Sequence, residues 1–213
     1  MSEITIALAK GRLASYSLSL FEKCGIDCSN VSEKNRKLVQ YDASSEYRFI
    51  FVKPADVPTY VDRGVADIGI AGKDTLLEAG RPLYEMLDLG FSKCRLCIAG
   101  FPDAKRALYS SNLRVATKYP NIAERYYRGK GMNIDIIKLA GSVELGPILN
   151  MSDVILDIVE SGGTLKANGL EVLETVCESS ARLVVNRVSL KLKHDKINAL
   201  IEKSAALLEE GML

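Results

Sequence analysis

Short apolar runs alternate with amphipathic ones along nearly the whole of this 213-residue chain, and that alternation limits the fold more than any other feature. Residues 4–9, 47–52, 66–71, 113–116, 134–139 and 154–159 read as strands. Helical patterns follow at 15–24, 58–63 and 73–78, the last two closed by Gly64 and Gly80. Strands that alternate with helices in this way predict an α/β architecture with mainly parallel sheets. The run 87–101 is apolar enough to pass as a strand between two lobes, with residues 181–185 as the return. Two sheets joined by two crossings give a bilobed protein with a cleft, a common place for small ligands. A last helix over 195–209 sets Ile197, Leu200, Ile201, Ala205 and Leu208 near one stripe.

Composition narrows the classes of partner. Lys and Arg number 28 against 27 Asp and Glu, so the chain lacks the basic excess of a nucleic-acid binder. No run of eighteen or more apolar residues would span a membrane. The start, MSEITIALAKGR, reaches a glycine and two cations before any long apolar run, unlike a signal peptide. A cytoplasmic globular protein is expected, and its length suffices for a core without disulfides or metal. Its five cysteines, an odd number, then read as reduced thiols. Cys94 and Cys97 have the spacing of a metal or redox pair, but KCRLCIAG reads as a strand, where positions three apart face opposite ways. Zinc would want further ligands, and the only histidine is the distant His194. The cysteines read as small buried hydrophobes.

The strongest local signal is VILDIVESGGTLKANGL, residues 154–170. A buried strand carries Asp157, ends at Glu160, turns through Ser161, Gly162 and Gly163, and opens a helix near Thr164. Adjacent glycines let the backbone approach a ligand, and amides at a helix start favour an anion. The hydroxyls of Ser161 and Thr164 add donors, while Asp157 and Glu160 suit sugar hydroxyls or a divalent cation. The bland alternative is a turn with helix-capping residues. An acidic strand end followed by this S-G-G-T resembles the 5-phosphoribosyl pyrophosphate (PRPP) motif of phosphoribosyltransferases. A second signal is ALAKGRL, where Lys10 and Arg12 leave a strand across Gly11, at the carboxyl edge where open α/β sheets place ligands. Arg36, in SEKNRKLV beside Lys34 and Lys37, reads equally well as a solvated face. Gly72, Lys73 and Asp74 mark another strand-to-helix junction. Thr117 and Lys118 precede a helix with Asn121 as its N-cap, and Gly141 and Ser142 open one that carries Glu144. Each of these turns is ordinary by itself; several at strand carboxyl ends mark one functional edge.

Taken together, ALAKGRL, KPADVPTYVDRGVADIGIAGKDTLLEAG, LRVATKYPNIAERYY, KLAGSVELGPI and DIVESGGTLKANGLEVLE resemble the ATP phosphoribosyltransferase catalytic subunit. The likeness runs in order from about residue 4 to residue 188. It implies two α/β lobes like type II periplasmic binding proteins, with the active site in the interlobe cleft. The lobes are expected at 1–90 plus 178–213 and at 91–177, the second carrying the PRPP loop. Asn150 departs from the family's usual glycine and Lys53 from a frequent arginine. Long members carry a C-terminal domain that binds histidine. This chain ends at Leu213, soon after its last helix, and so resembles the short form. That form works with a separate regulatory subunit similar to histidyl-tRNA synthetase, and a homodimer within a hetero-oligomer is expected.

The resemblance further implies transfer of phosphoribosyl from PRPP to N1 of the ATP adenine, releasing pyrophosphate, as the first step of histidine biosynthesis. Arg12 and Arg36 match the arginines set against pyrophosphate, and Mg²⁺ is the expected cofactor, with no ligand assigned. The turn from Glu160 to Leu165, including Ser161, Gly162, Gly163 and Thr164, would hold the 5′-phosphate, and Asp157 the ribose hydroxyls. Lys10, Gly11, Lys73, Thr117 and Glu144 are weaker contacts for ATP or phosphate. Two rival readings stand beside this one: a non-catalytic ligand-binding module of periplasmic type, and a PRPP-dependent transferase with another acceptor.

Overall fold

In the computed structural model, which describes residues 3–110 and 112–211, strand β1 (Ile4–Ala9) is buried at every position. The first sheet is built around it. β1 pairs in parallel with β3 (Tyr47–Val52) on one side and β4 (Ile68–Gly72) on the other. The short β2 (Val39–Tyr41) runs antiparallel beside β3, and β11 (Ala181–Val185) runs antiparallel between β4 and β5 (Tyr84–Asp88). One face presents Ile4, Ile6, Leu8, Phe49, Phe51, Ile68, Ile70, Leu183 and Val185 to α1 (Arg12–Lys23) and α8 (His194–Glu209). Each such side chain, fully buried, contributes roughly 1.5–3 kcal/mol. The other face is lined by small residues under α2 (Val57–Asp62), where a Cβ on Gly69 would lie 2.6 Å from Val61 and 2.8 Å from Val57. Only glycine lets this helix sit so close to the strand. Burial, with Glu22, Asp42 and Asp27 nearby, pushes the Cys28 thiol up to about 12, so it is inert at neutral pH.

Polar staples close the amino end of this sheet. The Asp67 carboxylate, 4% exposed, accepts from the Thr5 amide and from Lys193 Nζ, both at 2.8 Å. Asn186 caps α7 (Arg187–Leu192) through the amides of Val188 and Ser189, while its Nδ2 donates to the Val61 carbonyl at 2.7 Å.

The second sheet has the order β10-β6-β9-β7-β8. Its strands are β6 (Cys94–Gly100), β7 (Arg114–Thr117), β8 (Asp135–Lys138), β9 (Val154–Val159) and β10 (Glu171–Ser179). β7 pairs in parallel with β8 and β9, whereas β6 is antiparallel to β9 and β10. The chain divides into two compact units, Met1–Ser92 with Ser180–Leu213, and Lys93–Ser179.

The α/β class is the one expected, with its parallel pairs gathered at the centre of the first sheet and along one side of the second. Residues 87–101, expected as one strand, are two. Gly90 and Ser92 take positive φ (70° and 51°) between β5 and β6, and the Asp88 side chain accepts from the Gly90 amide. α1 begins at Arg12 rather than three residues later, because Gly11 makes the turn and its carbonyl accepts the Ala14 amide. Asn121 lies inside the first turn of α4 (Pro120–Gly129), whose N-cap is Tyr119. β2, β10 and α7 were not read from the sequence.

Asn150, where glycine is usual in the resembling family, follows α5 (Leu145–Ile148) at φ 56°. Glycine enters the left-handed region without cost, and asparagine is among the few other residues that visit it routinely. The Arg114 guanidinium donates to the Asn150 carbonyl (3.0 Å) and lies 3.4 Å from its side-chain oxygen. Asn150→Gly should therefore leave stability within about 1 kcal/mol, and Asn150→Val should cost about 1–2 kcal/mol by urea unfolding. Equal midpoints for the two variants would disprove the backbone explanation.

Candidate active site

In the first unit, the parallel register puts the carboxyl ends of β3, β1 and β4 side by side, with Ala9 opposite Val52. Lys10, Gly11, Arg12, Lys53, Gly72 and Lys73 leave the sheet along this one edge. Gly11 adopts φ 99° and ψ −155°, a region that is essentially glycine's alone. Its amide donates to the Glu33 carboxylate at 2.6 Å, a contact the sequence did not reveal. Arg12, exposed, is the first residue of α1, so the guanidinium starts from a fixed backbone. Arg36 is also exposed, in the segment that leads into β2. Lys73 opens α3 (Lys73–Ala79), and its ammonium meets Glu85 at 2.5 Å. Glu85 also pairs with Arg182 (3.2 Å), and Arg182 with Asp88 (2.8 Å), so the charge of Lys73 belongs to an internal network.

In the second unit, the carboxyl ends of β8, β7 and β9 likewise share an edge, since Thr117 lies opposite both Lys138 and Leu156. After β9, Glu160 and Ser161 are exposed, and Gly162 makes the turn at φ 77°. α6 (Gly163–Ala167) begins at once, one residue earlier than expected, with Leu165 buried beneath it. The first amides of a helix have no partner within it, and here Gly163 and Thr164 are exposed. The Gly163 amide approaches Ser161 Oγ at 3.4 Å, and a Cβ at Gly163 would meet nothing nearer than 3.6 Å. Gly162 is thus required by the backbone, whereas at Gly163 a Cβ would make only an ordinary contact with the Ser161 side chain. Asp157 is half-buried and accepts the Ile158 amide at 2.8 Å. Glu144 is the half-buried N-cap of α5.

Thr117 differs from its expected role. It is fully buried, and its hydroxyl donates to the Leu156 carbonyl (2.6 Å) while accepting the Tyr119 amide (2.8 Å). That hydroxyl shapes the turn between β7 and α4 and is closed to a ligand in solution.

Among the described residues, no group of three or more His, Cys, Asp or Glu side chains is placed to hold a metal ion. Magnesium keeps several waters and takes one or two carboxylates plus substrate phosphates, so a ready-made cage is not what it needs. Asp157 and Glu160, beside the glycine turn, match that donor chemistry.

Two α/β units, each gathering polar groups at the carboxyl edge of its parallel strands, define a protein of the two-lobed binding-protein class. A solved substrate binding protein of an amino acid ABC transporter shares this fold, with a TM-score of 0.59 and 11% identity over 99% of this chain and 95% of that one. Residues 53–205 match the family model HisG, ATP phosphoribosyltransferase, and the chain belongs to that family. It is 54% identical to an ATP phosphoribosyltransferase of Lachnoclostridium phytofermentans, over 99% of this chain and 100% of that protein. It is also similar to a chain of the ATP phosphoribosyl transferase (HisG:HisZ) complex from Thermotoga maritima: TM-score 0.84, 36% identity, 98% of each chain covered. No helix among the described residues is long and apolar enough to cross a membrane.

The turn from α5 to β9 is held by charge. Arg114 donates to Asp153 from its backbone amide (2.8 Å) and from Nη2 (2.7 Å), and this hydrogen bonding holds the Asp153 carboxyl below its usual range. A lowered carboxyl stabilises the fold above its unfolded value of about 3.9 and stops doing so as pH falls through the folded value. Asp153→Asn should be less stable than the parent at pH 7, with the gap in urea midpoint narrowing below about pH 4. A gap that stays constant with pH would show that the pair contributes by shape alone.

Proposed function

We propose that this chain is the catalytic subunit of an ATP phosphoribosyltransferase of the short form, working in the cytoplasm. It joins the phosphoribosyl group of PRPP to N1 of the ATP adenine and releases pyrophosphate, the first step of histidine biosynthesis. The observation that carries this is 54% identity to a protein of that name over 99% of this chain and 100% of that protein. Five free cysteines, three of them buried, suit a reducing compartment. The similar Thermotoga chain was solved in a HisG:HisZ complex, which supports a regulatory partner resembling histidyl-tRNA synthetase here. A homodimer within that hetero-oligomer completes the proposed assembly.

The adenine N1 lone pair lies in the ring plane, so attack on the ribose needs positioning more than a strong base. Positive charge grows on the sugar while negative charge grows on the departing pyrophosphate. Cations aimed at the leaving group therefore lower the barrier most. Arg12, fixed at the start of α1, and Arg36 are assigned that task. Lys10 and the Gly11 turn lie on the same edge and are assigned to phosphate contact, with Lys73 a weaker contributor because Glu85 already neutralises it. The turn from Glu160 to Leu165 takes the 5′-phosphate on the first amides of α6 and on Ser161 and Thr164. Asp157 takes ribose hydroxyls, and Glu144 contacts ATP. Mg²⁺, carried by the diphosphate and met by Asp157 or Glu160, would supply further charge neutralisation at the leaving group.

Incubation with ATP, PRPP and Mg²⁺, with and without the regulatory partner, should yield phosphoribosyl-ATP. Nucleotide binding without product, or turnover with another base alone, would overturn the assignment. Arg36→Ala should lower turnover by roughly a hundredfold or more when chemistry limits the rate. Gly163→Val, at a position where a Cβ meets only an ordinary contact with Ser161 and φ is not positive, should raise the KM for PRPP more than that for ATP. Equal changes in the two constants would remove the turn from phosphate binding.

A further inference from the structure

The segment that bears Arg36 is held from two sides by residues with no part in the reaction described above. Gln40, the buried middle residue of β2, has its amide fully engaged. Its Oε1 accepts the Ser32 amide, and its Nε2 donates to the carbonyls of Ser32 and Lys37, all at 2.9 Å. One side chain thereby pins both ends of the stretch 32–37 to the sheet edge. Within that stretch the Asn35 amide donates to the Ser32 carbonyl, and the Lys37 amide to Asn35 Oδ1, so the backbone around Arg36 is tightly folded. From the same stretch Glu33 reaches across and accepts the Gly11 amide at 2.6 Å.

That last bond spans 22 residues and joins the segment of Arg36 to the turn that fixes Arg12. A carboxylate next to an anion site opposes the ligand by charge, and an uncharged side chain would serve an ordinary loop equally well. A charge-assisted hydrogen bond is also among the stronger ways to hold two backbone segments together. We propose that Glu33 is a positioning residue: by clamping its own loop to the Gly11 turn, it presents Arg36 to the diphosphate leaving group alongside Arg12. This rests on the reading of Arg36 given under the proposed function.

The test is steady-state kinetics on Glu33→Ala, Glu33→Gln, Arg36→Ala and the Glu33→Ala/Arg36→Ala double variant, in the presence of the regulatory partner. Glu33→Ala should lower kcat about tenfold or more while the KM for ATP stays within about twofold. Glu33→Gln keeps an acceptor for the Gly11 amide and should recover most of that loss. In the Arg36→Ala background, Glu33→Ala should cost nothing further, because its effect passes through the missing arginine. Full activity of Arg36→Ala would defeat the assignment of Arg36 itself. With Arg36→Ala impaired, three results overturn the positioning role alone. They are an unchanged kcat in Glu33→Ala, an undiminished Glu33→Ala loss in the double variant, or a lower KM for PRPP in both Glu33 variants. The last would mark the carboxylate as a competitor of the diphosphate.

Discussion

The Asp67 carboxylate, buried at the amino end of the first sheet, is the contact on which the layout of that unit depends. It joins the start of β1, through the Thr5 amide, to Lys193 at the junction of α7 and α8, 126 residues further on. Lys193 also donates to the Glu3 carbonyl, so one ammonium and one carboxylate hold the start of β1 to the junction of α7 and α8. Such a pair adds little net stability over an apolar substitute, but leaving either charge without the other costs about 3–5 kcal/mol. Its value lies in register. With the amino ends of β1 and β4 tied, their carboxyl ends are aligned as well, and the cationic turns emerge along one edge. The staple thus lies at the end of the strands opposite the one to which the proposed function assigns the phosphates.

Much of this fold was legible because strands in the interior of a sheet are mostly apolar. β1 has no charged residue, β3, β9 and β11 are apolar runs broken by one charged residue each, and all four lie where the sequence places them. The missing parts lacked that signal. β10, with Glu at 171, 174 and 178 among apolar residues, is half-exposed, and β2 is three residues long. The break between β5 and β6 rests on positive φ at Ser92 as well as Gly90, and serine gives no warning of it. The site divides in the same way. The glycine turn after β9 was visible as a local pattern, as were the residues flanking Gly11. The Glu33 contact and the burial of the Thr117 hydroxyl were not, because each joins positions 22 or more residues apart.

Asn150 shows how a departure from a family pattern becomes informative once the backbone is known. A glycine replaced by another residue suggests a lost turn, but the position needs φ near 56° rather than the absence of a side chain. Asparagine meets that need and adds a contact to Arg114. The fold by itself carries less. The same two-lobed architecture serves a transporter's substrate binding protein at 11% identity, which shows shape alone. Membership of the phosphoribosyltransferase family rests instead on the matched residues 53–205 and on relatives similar over the full chain.

Charge along the first sheet's edge is arranged by subtraction. The chain is almost neutral overall, with 28 basic residues against 27 acidic ones, so a general positive field is not available to attract a polyphosphate. Four cations nevertheless leave the carboxyl edge, at positions 10, 12, 53 and 73. Lys73 is drawn into the network of Glu85, Arg182 and Asp88, and Glu33 is spent on the Gly11 amide. Arg12, held by its place at the head of α1, and Arg36, in a braced loop, carry guanidinium groups with the planar, several-donor geometry that phosphate oxygens favour. A bond-breaking step that sheds diphosphate charge gains most from donors that are already in place when the charge appears. The proposed chemistry therefore asks for two well-fixed arginines rather than a basic surface.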